Sequence, residues 1–334
     1  MRPRISKRTL IIRLIALSCI VLGSLTAAYA QGADDSEGMA ARTEMGAAKV
    51  SMKGKYFGAP RPGNTPVLFA PNILASLSPW VEATAFSPDG KLAFLSVGTV
   101  NYGGATLYYS KRENGKWTPF EKAPFVSDFV YSNEPVFSAD GTALIFTGKK
   151  ATGSLDLWRV DVSDQGWGTP VALPPPINSA GREFRGSFQS DGTLYLGSNR
   201  SGMMQIYKAY EDEAHTWVAE MLGAPVNTGS FEGDPCIDPD GHFIVFYSGR
   251  DGISTDLYVS FRDENGDWGD PINLGDRFNS PYDEYGAHLS SDGKYLFFTR
   301  HTSEGNGIYW VSISAVKELE LDSQASPAGA PNRL

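Results

Sequence analysis

A chain of 334 residues with 41% hydrophobic and 12% aromatic content can bury a full globular core, and its formal charge of −9 argues against nucleic acid and anionic lipid as partners. Two cysteines, Cys19 and Cys236, exclude a disulfide framework. The four histidines, His215, His242, His288 and His301, fall at unrelated places without ligand spacing, so neither a metal nor a cofactor is expected.

In chain order, residues 1–30 read as a signal peptide. Arg2, Arg4, Lys7, Arg8 and Arg13 form a positive n-region, Leu14 to Leu25 is a short apolar run, and Ala28-Tyr29-Ala30 is a small-x-small cleavage site. Cleavage after Ala30 sends the mature chain, from Gln31, to the periplasm or the medium. The apolar run falls short of the roughly 18 residues a membrane span requires, and no later stretch approaches that length. Cys19 lacks the Leu three positions upstream that a lipid-anchor signal carries. Removing the leader takes five basic residues and no acidic ones, so the formal charge becomes −14. Residues 31–52 and 318–334, rich in Ala, Ser, Gly and Pro, read as a flexible linker and a disordered tail around a folded domain at 53–317. Within that domain the lone Cys236, beside Ile237, reads as a buried inert thiol.

The domain is a repeat. Phe86-Ser87-Pro88-Asp89-Gly90 recurs as Phe137 to Gly141, Phe188 to Gly192, Ile237 to Gly241 and Leu289 to Gly293, with glycine spacings of 51, 51, 49 and 52 residues. Each Asp-Gly lies between apolar or alternating runs such as Ala143 to Phe146, which makes it a β-hairpin turn whose Gly supplies positive φ. A third strand follows about fifteen residues on, at Leu107-Tyr108, Leu157-Trp158, Ile206-Tyr207, Leu257-Tyr258 and Ile308-Tyr309. Then comes a second turn, Asn114-Gly115, Gln165-Gly166 or Asn265-Gly266, closed by Trp117, Trp167 or Trp268, with Trp217 at the matching place in the third copy. Four antiparallel strands per copy make a propeller blade, and the fold class is an all-β propeller of five four-stranded blades, with six as the alternative.

The fifth copy stops after its third strand. A spare fourth strand lies at the other end, where Thr65 to Pro71 echoes Thr118 to Pro124 and Thr169 to Pro174. An N-terminal strand that completes the last blade would close the ring and remove its open edges.

These Ser-Pro-Asp-Gly repeats resemble the PD40 group of WD40-like propellers, the TolB type, over about residues 55–315. Tyr56 to Pro66 and Asn279 to Gly286 are similar to stand-alone bacterial members of that group. The resemblance implies the fold, and TolB-like propellers usually have six blades. It is nearly silent on function.

No G-x-S-x-G elbow is present. Glu134, Glu183, Glu232, Asp234 and Glu284 fall just before the first strand of their copies, with Glu82 close to that place in the first copy, so carboxylates should ring one mouth of the channel. Two of them could act as acid and base across a glycosidic bond. The same placement also pairs Glu134 with Lys149, Glu183 with Arg200, Glu232 with Arg250 and Glu284 with Arg300 inside each blade, as structural ion pairs. Breaks in the repeat mark a ligand-binding surface instead. Glu82 has no basic partner because Ser96-Val97-Gly98 replaces it, Arg185 stands where Glu134 and Asp234 stand in neighbouring copies, and Gly286 empties that position. Tyr102, Tyr131 and Tyr285 would add an aromatic rim. The expected function is a monomeric, non-enzymatic binding module of the bacterial envelope that takes a protein, peptide or saccharide at the channel mouth. The alternatives are a carbohydrate-active hydrolase or lyase and a structural envelope component.

Overall fold

In each copy the strand after the Asp-Gly turn is the most apolar segment, because a strand sandwiched between two neighbouring sheets buries both faces. Phe94, Phe146, Leu196, Val245 and Phe297, one from each such strand, are all fully buried. The computed structural model describes residues 52–99, 103–163, 166–252 and 254–325, so the signal peptide, most of the linker, Tyr102 and the last nine residues lie outside the described part. The strand β1 (Val67–Leu68) and the helix α1 (Pro71–Leu77) precede the first blade. That blade holds β2 (Val81–Phe86), β3 (Leu92–Gly98) and β4 (Ala105–Glu113), with the short β5 (Lys116–Trp117) and β6 (Glu121–Lys122) both pairing β4. The second repeats this as β7 (Phe129–Phe137), β8 (Ala143–Lys150), β9 (Asp156–Ser163), β10 (Gly166–Trp167) and β11 (Val171–Ala172). The third is β12 (Glu183–Phe188), β13 (Leu194–Ser198), β14 (Gln205–Glu211) and β15 (Trp217–Met221). The fourth is β16 (Glu232–Ile237), β17 (Phe243–Ser248), β18 (Asp256–Phe261) and β19 (Ile272–Asn273), and the fifth holds β20 (Asp283–Leu289), β21 (Tyr295–Thr302) and β22 (Gly305–Ser312). Every pairing within the five sheets is antiparallel.

The first strand of each blade lines the axis, and the fifth sheet is completed by β1, with Val67 opposite Trp310 and Leu68 opposite Tyr309. The ring therefore has five blades and closes through its N-terminal strand. Two residues of strand contribute few hydrogen bonds, so the seam depends on aromatic burial. Phe69, directly after β1, is fully buried and its amide donates to Ile308 O at 2.8 Å. Tyr56 and Phe57, in a single turn at Lys55–Gly58, bring their rings within 5.0 and 5.3 Å of Phe86 on the first blade. Burying three such rings stabilises the seam by several kcal/mol, at roughly 1.5–3 kcal/mol each.

The Asp-Gly turns all lie on one face of the ring, with Gly90, Gly141, Gly192, Gly241 and Gly293 at φ between +65 and +93°. Asn114 and Gly115 both have positive φ, the pairing a type I′ turn needs. The stretch from 318, expected to open a disordered tail, continues a helix instead. In α2 (Ser314–Ala325) Ala315 and Val316 are buried, Leu319 packs on the core of the last two blades, and Glu318 pairs with Arg277 at 3.6 Å. Among the described residues no helix is long and apolar enough to cross a membrane.

Candidate functional site

Each axial strand carries at least one extra residue, and β7 has a second between Phe129 and Tyr131. The register slips between Val81 and Ala83, Asn133 and Val136, Phe184 and Gly186, Gly233 and Cys236, and Tyr285 and His288. A bulge re-aims the side chain at its extra residue. Those positions hold Glu82, Glu134, Arg185, Asp234 and Gly286, and the last four sit at φ of +56, +35, +46 and +66°. Hydrogen bonds from blade to blade hold them there. Glu134 N donates to Ser96 Oγ (3.2 Å), Arg185 N to Glu134 Oε2 (2.9 Å) and Thr147 Oγ1 (3.1 Å), and Gly286 N to Asp234 Oδ2 (3.0 Å). Thr299 Oγ1 donates to Glu82 O at 2.6 Å and so joins the fifth blade to the first.

The broken positions of the repeat therefore meet in one buried charge cluster. Arg185 Nε lies 4.0 Å from Asp234 Oδ2, and both side chains are within 7% of full burial. Glu82 Oε2 accepts from Asn133 Nδ2 at 2.7 Å, and its carboxyl fills the space where a Cβ on Gly98 would lie. The gap at Gly286 is filled across the axis, since a Cβ there would lie 3.2 Å from Arg185 Nη2. Burial raises the Glu82 pKa to about 8, with the nearby Glu134 adding and the Asn133 hydrogen bond opposing. Asp234 rises to about 7 for the same two causes, opposed by Arg185 and the Gly286 amide. The expectation of a ring of carboxylates at a mouth is corrected here: Glu82, Glu134, Asp234, Glu183, Glu232 and Glu284 are all buried.

Above the cluster a funnel of about 260 Å³ opens on the Asp-Gly face. Its collar is the last residue of each axial strand, Phe86, Phe137, Phe188, Ile237 and Leu289, and Arg185 is the deepest residue of the lining. Arg185 is 2% exposed, and neither its Nε nor its Nη1 has a hydrogen-bond partner. Among the described residues only Arg262 Nε shares that condition. His288, also in the lining, stacks on Phe297 at 15° between ring planes. Its Nδ1 donates to Gly286 O (3.2 Å), so its Nε2 accepts from Thr84 Oγ1 (2.9 Å). Burial, with Arg185 adding, pushes its pKa down to about 3, so the imidazole stays neutral.

The expected intrablade pairs form in three blades. Arg200 meets Glu183 at 3.3 Å, Arg250 meets Glu232 at 3.8 Å and Arg300 meets Glu284 at 2.5 Å. Ser179, Thr228 and Ser280 cap the same carboxylates, and burial still lifts the Glu284 pKa against these bonds. Each Arg also lies over the tyrosine of its third strand, Tyr207, Tyr258 or Tyr309, within 4.8 Å of the ring centre. The Glu134–Lys149 pair does not exist. Glu134 stands two residues beyond the place that Glu183, Glu232 and Glu284 take in their blades, which here is Ser132; Thr147 Oγ1 donates to it at 2.7 Å, and Tyr131 stands opposite Lys149.

A second repeated device was missed. Asn178, Asn227 and Asn279 bond the backbone N and O of Leu157, Ile206 and Leu257 respectively, fastening the loops into the third, fourth and fifth blades to the preceding blade. Its signal is the recurrence Ile177-Asn178-Ser179, Val226-Asn227-Thr228 and Phe278-Asn279-Ser280. The Tyr285 hydroxyl accepts from Asn306 at 3.2 Å and the Tyr131 hydroxyl from Asn133 at 2.9 Å, which ties the latter to Glu82. Cys236 is buried with its thiol pKa raised to about 12 by that burial, the inert state expected. Asp238, Asp240 and His242 place donor atoms within 4.8 Å of one another on an Asp-Gly turn, a grouping that histidine spacing alone did not show.

No protein-family model matches the chain. No protein of curated function matches it either. Among solved structures it is similar to the putative TolB from Agrobacterium tumefaciens, at 20% identity and a TM-score of 0.49, over 70% of this chain and 78% of that one. It is also similar to TolB from Acinetobacter baumannii, at 18% identity and 0.46, where it spans 69% of itself and 54% of that chain. A third likeness is sucrose-6-phosphate hydrolase from Lactobacillus gasseri, at 14% identity and 0.49, over 70% of this chain and 58% of that one. These likenesses, at 20% identity or less and TM-scores under 0.5, carry no function to this chain, and the five-bladed ring rests on its own strand pairing.

Proposed function

We propose that this chain is an exported, non-enzymatic binding module of the envelope whose ligand enters the axial funnel from the Asp-Gly face. One observation carries the reading. The funnel ends on a buried guanidinium with donors that no protein group satisfies, and buried polar groups are otherwise almost always bonded. A site built to receive a ligand leaves such groups open until the ligand arrives. The leader at residues 1–30 supports export. The volume of about 260 Å³ suits one small molecule, or one side chain, terminus or sugar unit of a larger envelope partner.

The hydrolase alternative calls for an acid and a base facing the substrate. The funnel lining offers Arg185 and a neutral His288, while Glu82 and Asp234 lie beneath it. The test is thermal unfolding of the mature protein against a panel of amino acids, short peptides and sugars, run beside a glycoside turnover screen. Saturable stabilisation without turnover is expected. Ala139→Trp, at the exposed rim of the funnel, should abolish it with little change in the unliganded protein. Turnover of a glycoside, or stabilisation that survives Ala139→Trp, would overturn the reading.

A further inference from the structure

We infer that the funnel is a site for a small organic acid, its carboxylate held by Arg185 and its apolar body enclosed by the collar. This rests on the reading of the funnel as the binding site and adds the chemistry of the ligand. Arg185 is the one charged side chain that lines the cavity, so an anion is the group whose burial it compensates. Its nearest carboxylate, Asp234, stands at 4.0 Å from Nε, close enough to balance charge and too far for a good hydrogen bond. Donors are therefore present and unused.

A second donor lies beside it. Ser187 Oγ, in the same lining, accepts from Ile237 N at 3.0 Å and keeps its own proton to give. Neutral His288 has both ring nitrogens committed to the protein, which leaves orientation of the ligand to Arg185 and Ser187. Above them the collar of three phenylalanines, Ile237 and Leu289 offers apolar contact all round. A free phosphate would gain nothing from that collar, and a neutral apolar molecule would leave the guanidinium desolvated and unbonded. At about 30 Å³ per water, the cavity holds roughly eight or nine waters, which is the volume of a molecule of about ten heavy atoms.

Isothermal titration of the full mature chain with two matched pairs, benzoate against benzamide and butyrate against butyramide, tests this, with inorganic phosphate as a third arm. Each acid should bind at least about ten-fold more tightly than its amide, and phosphate should not compete with either acid. Arg185→Met should remove the preference for acid over amide, and Arg185→Lys should restore part of it. Amides that bind as well as acids, or phosphate that displaces them, would overturn the organic-acid assignment and leave the funnel as a binding site. No response to either pair, while other molecules of the panel stabilise the protein and Ala139→Trp blocks them, would do the same. If nothing in the panel binds, the binding reading falls with it. The wild-type comparisons stand even if Arg185→Met fails to fold.

Discussion

Replacing Glu82 by Gln isolates the electrostatic cost of the axial cluster. The carboxyl is 4% exposed, accepts from Asn133 and packs on Gly98, and an amide of the same size keeps the acceptor while it cannot ionise. Burial and Glu134 together raise its pKa from 4.5 to about 8. The folded state therefore holds this proton more tightly than the unfolded state. The stability contributed by the proton is complete below pH 4.5, declines as pH rises, and is gone above about pH 8. At about 1.36 kcal/mol per pKa unit that loss is on the order of 4 kcal/mol, an upper figure because neighbouring groups share protons. Glu134, Arg185, Asp234 and Asn133 face Glu82 or lie in its cluster and remain in the variant, and Asp234 titrates in the same window. Glu82→Gln should match the wild type near pH 5 and exceed it at pH 9 by about 2–4 kcal/mol, which is roughly 5–10 °C in Tm for a chain of this size. Thermal unfolding of both proteins across pH 5–9 measures the difference. Parallel curves, or a variant that is less stable at pH 9, would refute the placement of a protonated Glu82 in the axis.

Three further outcomes follow from the packing. Deleting residues 1–72 removes β1, Phe69, Tyr56 and Phe57, and should give aggregation on size-exclusion chromatography, while Phe69→Ala alone should cost about 3–4 kcal/mol in denaturant unfolding. Glu232→Ala strands Arg250 over a fully buried vacancy and should cost about 3 kcal/mol, whereas Glu220→Ala, from the half-exposed pair with Lys208, should change stability by less than about 0.5 kcal/mol in the same assay. Gly286→Ala introduces a Cβ at φ +66° and crowds Arg185 Nη2, so it should lower the melting temperature through a cost of about 1–2 kcal/mol and weaken any ligand that depends on Arg185.

What the sequence made legible follows from period and punctuation. Five Asp-Gly turns at near-equal spacing pointed to five blades with six left open, and the missing fourth strand after Tyr309, with its echo at Thr65 to Pro71, pointed to the closure and to the strand that performs it. Pairs on adjacent strands of one blade were also readable, because antiparallel pairing brings the start of one strand beside the end of the next, as at Glu284 and Arg300. A bulge has no such signature. It turns one residue of each axial strand out of the alternation, and Glu134 stands at that place, two residues beyond Ser132, which holds the position of the paired Glu183 and Glu232. The level of the cluster along the axis was equally hidden, since depth depends on where the five bulges align. The helix at 314–325 was missed because its apolar face is a few residues packed on a sheet, and composition alone resembled a tail.

The bulges also bear on whether the cluster is scaffold or site. If geometry alone governed those positions, glycine would be the least strained choice at positive φ, and the fifth blade does use Gly286. Three other blades instead place Glu134, Arg185 and Asp234 in that region, each at a cost of roughly 1–3 kcal/mol. The cost is compounded by charge, because one guanidinium shares the cluster with three carboxyl groups, two of which are held near or above neutral pKa by burial. The seam depends on Phe69, Tyr56, Phe57 and β1, and the loops into the third, fourth and fifth blades are held by the Asn and Glu–Arg devices. Strain and buried charge concentrate at the bottom of the open funnel. That distribution is the one expected of a binding surface set on a repeated scaffold.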